Sequence, residues 1–130
     1  MSNKMSNKEI VEGIFQAAEL MGRGNPDALD TVMNYYAEEA IFQFENNPPL
    51  KGKAAIKELA TGFLSQFLVE AEHIIHRIVI EGDLIAQEVI AKMKLPDRKK
   101  IDWPFAGFFE MKRGTITYNR VYADMAALAG

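Results

Sequence analysis

The sequence predicts an α+β domain, helices first and an antiparallel sheet after them. Apolar residues recur at helical spacing through the first half, and apolar and polar residues alternate through the second. Turns at Gly82-Asp83 and at Lys112-Arg113-Gly114 divide that second half into strands that follow one another as a meander. Helices followed by such a meander place the helices over one face of a curved sheet.

The head of the chain, MSNKMSNKEI, repeats MSNK and reads as a disordered leader over residues 1–7, with a single domain over 8–130. Ser6-Asn7-Lys8-Glu9 fits a capping box in which Glu9 reaches back to the cap amide. Ile10, Ile14, Ala18 and Met21 then form a helical stripe, widened by Val11 and Phe15. Gly22-Arg23-Gly24 stops that helix, and Asn25-Pro26-Asp27 supplies a cap, a first-turn proline and a dipole-favoured acid for the next. Its apolar face is Leu29, Val32, Met33 and Tyr36. Ala40 to Phe44 reads as a short strand, and ENNPPLKG as an irregular loop. A third helix after Lys51-Gly52-Lys53 buries Ile56, Leu59, Ala60, Phe63 and Phe67.

Composition narrows the function. Apolar residues make up 48% and charged residues 25% of the 130, enough to build a core around a small internal pocket. The net charge of −3 argues against a nucleic-acid partner. With 0 cysteines the chain has no disulfide, thiolate metal site or cysteine nucleophile. No apolar run reaches the length of a membrane span and the head lacks the apolar core of a secretory signal, so the expected location is cytoplasmic. The basic run from Lys92 to Lys100 is interrupted by Pro96-Asp97 and reads as a solvated hairpin tip.

The first hairpin fixes an expected register. With Gly82 and Asp83 as the turn, Arg77 pairs with Glu88, and His76 lies opposite Val89. Strand alternation then gives His76, Ile78, Gln87, Val89 and Ala91 one face, unless a bulge shifts the assignment. On GTITYNRVYAD, Asn119 and Val121 share that inner face. Tyr118, Arg120 and Tyr122 point outward, and Ile75, Val79, Ile90, Phe105 and Phe109 are expected to join them. An outer face this apolar implies a partner surface.

The order of YYAEEAIFQFENNPPLKGKAAIKEL, HRIVIEGDLIAQEV and PFAGFFEMKRGTITYNRVYAD along residues 8 to 126 resembles the nuclear transport factor two-like superfamily, in its SnoaL-like and limonene epoxide hydrolase-like branch. The resemblance implies a cone-shaped, strongly bent antiparallel sheet packed against the three helices, a cystatin-like α+β barrel. It also implies a homodimer through the outer sheet face. Superfamily members range from enzymes to non-catalytic binding domains, so fold alone does not decide function. Laid on the limonene epoxide hydrolase pattern, the acid and arginine positions fall on Val89, Ala91 and Val121, and the tyrosine and asparagine positions near Phe42 and Phe44. Laid on the ketosteroid isomerase pattern, the acids fall near Phe44 and Ala106 and the tyrosine near Gln16, beside Phe15. Neither set is present. For the acid–base residue of a SnoaL-like cyclase the best carboxylate is Asp102, which shares a strand face with Pro104, Ala106 and Phe108.

The expected pocket is mostly apolar. Phe15, Phe42, Phe44 and Phe108 form its walls, with Phe63 and Phe67 from the third helix. Val89, Ala106 and Val121 add small apolar surface, and Trp103 shields the mouth. The polar fixtures are His76, Gln87, Asn119 and Asp102, of which His76 and Asp102 are the catalytic candidates. Such a pocket fits a small apolar or aromatic molecule carrying one or two oxygens. His73 and His76 have helical metal-pair spacing but point to opposite faces of a strand, so no metal site and no cofactor is implied. The first reading is a ligand-binding domain. The alternatives are a lyase, isomerase or cyclase using His76 as general acid or base, and a dimeric association domain whose cavity its own aromatics fill.

Overall fold

The computed structural model describes residues 6–22, 27–67, 70–95 and 97–126, with the side chains of residues 63–67 outside that description. The contributions expected from Phe63 and Phe67, the Gly24–Pro26 break and most of the leader therefore lie outside the described residues. Helix α1 spans Asn7–Gly22 and α2 Ala28–Asn34; strands β1 and β2 span Tyr36–Phe44 and Leu50–Lys51, and α3 spans Lys53–Phe67. The remaining strands are β3 Glu70–Glu81, β4 Leu84–Lys94, β5 Lys100–Lys112 and β6 Thr115–Ala123.

The first helix starts as its sequence dictates. The Ser6 hydroxyl accepts the Glu9 amide at 3.2 Å, and the Glu9 carboxylate accepts the Ser6 amide at 3.1 Å, a closed capping box. Those hydrogen bonds hold the Glu9 carboxyl below its ordinary range. Helix α2 ends at Asn34, earlier than its apolar face suggests, and Tyr36 instead opens β1 with its ring buried. Aromatic side chains favour a pleated, half-buried surface, which suits Tyr36 to a strand start.

The strands form a six-stranded sheet in the order β2-β1-β6-β5-β4-β3. It is mixed rather than wholly antiparallel, because β1 runs parallel to β6, and it is not closed. Glu81 pairs with Leu84 around Gly82, whose φ of 58° is the left-handed conformation a tight hairpin needs. Helix α1 lies on the inner face of the sheet. Ile10, Val11, Ile14 and Phe15 pack there with Ile85, Val89, Phe109, Met111 and Ile116. Val11, Ile85, Val89 and Ile116 are fully enclosed, each worth about 1.5–3 kcal/mol of transfer free energy. A second buried cluster, Ala71, Ala91, Met93 and Trp103, continues the inner face toward the far ends of β3, β4 and β5. No helix among the described residues is long and apolar enough to cross a membrane.

Candidate functional site

The inner face is built from alternating residues in register. On β4 these are Ile85, Gln87, Val89, Ala91 and Met93, all buried. They pair across β5 with Phe109, Gly107, Phe105, Trp103 and Ile101. Phe109 and Gly107 pair in turn with Asn119 and Val121 of β6, and Phe42 and Phe44 of β1 continue those rows. Phe15 reaches the same face from α1.

Several expectations are corrected here. A bulge between Ile75 and Arg77 places Ile75 opposite Val89 and keeps Arg77 opposite Glu88, so His76 is the extra residue and is exposed. His76 therefore does not face the interior. On β5 the ladder with β4 is regular, so its odd-numbered residues share the face of Gln87, Val89 and Ala91. Phe105 and Phe109 turn inward, while Asp102, Ala106 and Phe108 turn outward. The Asp102 carboxylate is 65% exposed and pairs with Lys92 at 3.5 Å, and Phe108 is 41% exposed. Trp103 does not shield a mouth: its ring is buried against Phe105 at 5.5 Å, and its indole N–H donates to the Asp124 carbonyl at 3.1 Å.

The bulge brings the other histidine inside. His73 pairs with Ala91, its ring stacks on Phe15 at a centroid distance of 4.9 Å, and Phe105 meets it edge-on at 6.3 Å. Its Nδ1 lies 3.1 Å from Glu19 Oε2, and its own backbone N–H donates to that oxygen at 2.7 Å. Burial pushes the imidazole below its ordinary 6.5, while the Glu19 hydrogen bond and charge oppose the shift. Desolvation wins, so the ring is neutral near pH 7 despite its carboxylate partner. The sequence signals only Glu19's side of this contact: Phe15 and Glu19 lie one turn apart on α1, so an acid stands beside the buried aromatic stripe.

Deeper on the same face, Asn119 donates to the Tyr36 hydroxyl at 2.9 Å. Burial raises the Tyr36 phenol to about 12, with the Asn119 hydrogen bond acting in the other direction. Gln87 Oε1 and Asn119 Oδ1 are buried without a partner among the described residues. Gly107 is what lets Gln87 lie across β5, since a Cβ there would stand 2.8 Å from Gln87 Nε2 and 3.3 Å from the Arg120 carbonyl.

Concavities occur elsewhere too. One of about 390 Å³ lies at the rim formed by the ends of β3, β4 and β5, where Glu72, Lys92 and Asp102 surround Ala71 and Met93. Another of about 170 Å³ lies on the outer face beside Arg77, Val79, Glu88 and Phe108. The rim is the larger, but its charged groups are solvated and partly paired. His73 stands in the next inward row of β3, opposite Ala91. Among the described residues no group of His, Asp and Glu is arranged to hold a metal ion.

The profile of the SnoaL-like domain matches residues 14–119, from the middle of α1 into β6. The chain belongs to the SnoaL-like domain family. The family includes cyclases, isomerases and epoxide hydrolases. Solved structures agree in fold. An epoxide hydrolase of Mycobacterium tuberculosis, described as similar to limonene epoxide hydrolase, superposes with a TM-score of 0.73 at 20% identity, covering 93% of this chain and 84% of that one. A protein from Jannaschia sp. CCS1 described as a putative SnoaL-like polyketide cyclase gives 0.80 at 16%, over 98% and 95% of the chains. The epoxide hydrolase/cyclase-like enzyme SalBIII, of pyran ring formation in the polyether salinomycin, gives 0.74 at 20%, over 92% of each. The α+β cone of the nuclear transport factor two-like proteins is thus the architecture of this SnoaL-like domain. Where the limonene epoxide hydrolase pattern calls for an arginine and two acids, this SnoaL-like domain carries Val89 and Ala91, both buried on the inner face, and Val121 opposite Gly107. These side chains transfer no proton.

Proposed function

We propose that the inner face of this domain binds a small, mostly apolar molecule carrying one or two oxygen groups. Gln87 carries the reading. It is a carboxamide only 5% exposed, its oxygen has no partner among the described residues, and Gly107 makes the room in which it lies. A buried polar atom left unpaired costs about 1–3 kcal/mol, and a ligand hydroxyl or carbonyl, or a water held with it, removes that cost. Asn119, also 5% exposed, repeats the arrangement deeper on the face. Phe15, Phe42, Phe44 and Phe105 supply the apolar surround such a ligand needs.

The test is native mass spectrometry for copurifying compounds, followed by saturation-transfer NMR with small cyclic ketones and alcohols. Binding is expected, and Gln87→Leu weakens it about tenfold, the loss of roughly one well-made hydrogen bond. No copurifying compound and no binding by any of these probes would overturn the reading.

We further propose that the outer face of the sheet pairs with a second copy of the chain. Val79, Phe108 and Tyr122 stand there 58%, 41% and 39% exposed, and Phe108 meets Tyr122 edge-on at 6.5 Å as one patch. Arg120 lies 4.9 Å over the Tyr122 ring, extending the patch with a charged edge. Light scattering should give twice the mass of one chain, and Phe108→Glu should halve it. A wild-type monomer at high concentration removes the proposal.

A further inference from the structure

We infer that the β3 edge of the sheet, from Arg77 to Glu81, pairs with the same segment of a second copy, antiparallel and centred on Val79. This contact is separate from the outer-face pairing proposed above.

Strand β3 ends the strand order, with β4 as its neighbour in the sheet. Its two halves treat that edge differently. Before the bulge the His73 N–H points away from β4, and the Glu19 carboxylate on α1 accepts it at 2.7 Å. An edge donor capped by a charged side chain is closed to other strands. After the bulge there is no such cap among the described residues. Glu81 and Leu84 close a two-residue hairpin and exchange both of their ladder hydrogen bonds, so Arg77, Val79 and Glu81 turn their amides toward β4. The N–H and C=O groups of Ile78 and Ile80 therefore face outward, and no described residue outside the hairpin bonds to them.

The side chains define what this edge fits. Val79 and Ile80 are 58% and 41% exposed on the open half, the apolar surface that an unprotected edge ordinarily avoids. Arg77 and Glu81 flank them, both exposed and both on the face of Val79. Laid antiparallel against itself with Val79 opposite Val79, the segment sets each Arg77 opposite the other copy's Glu81. Ile78 then stands opposite Ile80, and the two exchange backbone hydrogen bonds in the phase their outward groups demand. Opposite charges in a non-hydrogen-bonded pair stand close and favour the pairing. The registers on either side set Val79 against Glu81 or against Arg77, and lose that match. The segment is thus its own complement, which is why the occupant is a second copy. So few residues bury far less than the roughly 1,000 Å² of a stable interface, so the contact is weak and adds to the outer-face dimer only at high concentration.

The chain has 0 cysteines, so one introduced thiol reads the contact. Val79→Cys places two thiols opposite each other at a Cα separation of about 4.5 Å, within disulfide reach. The full chain is held at about 1 mM, suited to a weak contact, with glutathione disulfide as oxidant. Pairing raises the local thiol concentration, so the linked dimer should form roughly tenfold faster than from Leu59→Cys, a position 41% exposed on α3. Adding Arg77→Glu, or Glu81→Arg, should bring the rate down to that of Leu59→Cys. Both reversals together should restore it, because the exchanged charges still face one another. The Ile78 and Ile80 amides should also exchange more slowly with solvent as concentration rises. Circular dichroism confirms folding, and Glu81→Arg carries the charge test should Arg77→Glu misfold beside Glu88. Linking no faster than in Leu59→Cys overturns the inference, and so does a folded double reversal that fails to restore it. Fast linking that ignores both reversals and disappears with Phe108→Glu assigns the contact to the outer face instead. Ile78 and Ile80 amides protected equally at every concentration would mean that something other than a second copy covers the edge, and would also overturn it.

Discussion

His73 and His76 stand three residues apart on β3, yet one is folded against Phe15 and Glu19 and the other is in solvent. The difference comes from one bulged position. Up to the bulge, Ala71, His73 and Ile75 face inward; after it, Ile78 does so, opposite Gln87. A bulge adds a residue without adding a ladder partner, so it exchanges the faces of everything on one side of it. The lesson concerns chemistry as much as fold: the phase of one strand decides which imidazole meets a carboxylate and which is exposed.

The sharpest way to break the comparison is to place a charge on each side of it. Ile75→Asp puts a carboxylate opposite Val89, against the packed core, and is expected to cost about 3 kcal/mol or more. His76→Asp puts the same charge in solvent and is expected to stay within about 0.5 kcal/mol. Urea unfolding of the two variants reads both values. A regular strand without the bulge demands the reverse order, so finding His76→Asp the more damaging would refute the bulge.

The residues themselves show how far the sequence reading reaches and where it stops. The capping box, the Gly82-Asp83 turn and the inward rows of β4 and β6 were legible, because each follows from local chemistry or from an uninterrupted count from a turn. In β5 the count fails, since Phe105, Ala106, Phe108 and Phe109 make both faces apolar and alternation has no phase to report. The ladders with β4 and β6 supply that phase, by setting Gly107 between Gln87 and Val121. In β3 the signal was present but spread across the strand: the outward charges are Glu70 and Glu72 before the bulge and Arg77 and Glu81 after it. That change from even to odd positions is the trace a bulge leaves in a sequence. The Glu19 contact with His73 joins residues 54 apart in the chain, a distance at which neither spacing nor propensity carries information.

The gentlest probe of the two histidines is pH. Folding lowers the proton affinity of His73, because burial penalises the imidazolium more than Glu19 favours it. The unfolded chain, with the imidazole near its ordinary 6.5, therefore binds more protons than the folded chain in the window just below that value. Stability should rise with pH through this window, reach its full value above about 6.5, and be lost progressively as pH falls below it. Glu9, held below its ordinary 4.5 by the capping box, adds the same sign of dependence, but in a more acidic window. The two contributions are separable in a series of urea unfolding curves. His73→Phe should flatten the dependence just below pH 6.5 and leave the acidic limb. A pH dependence around 6 that survives in His73→Phe would mean that another group carries it, and that the buried imidazole is as easily protonated in the folded chain as in the unfolded one.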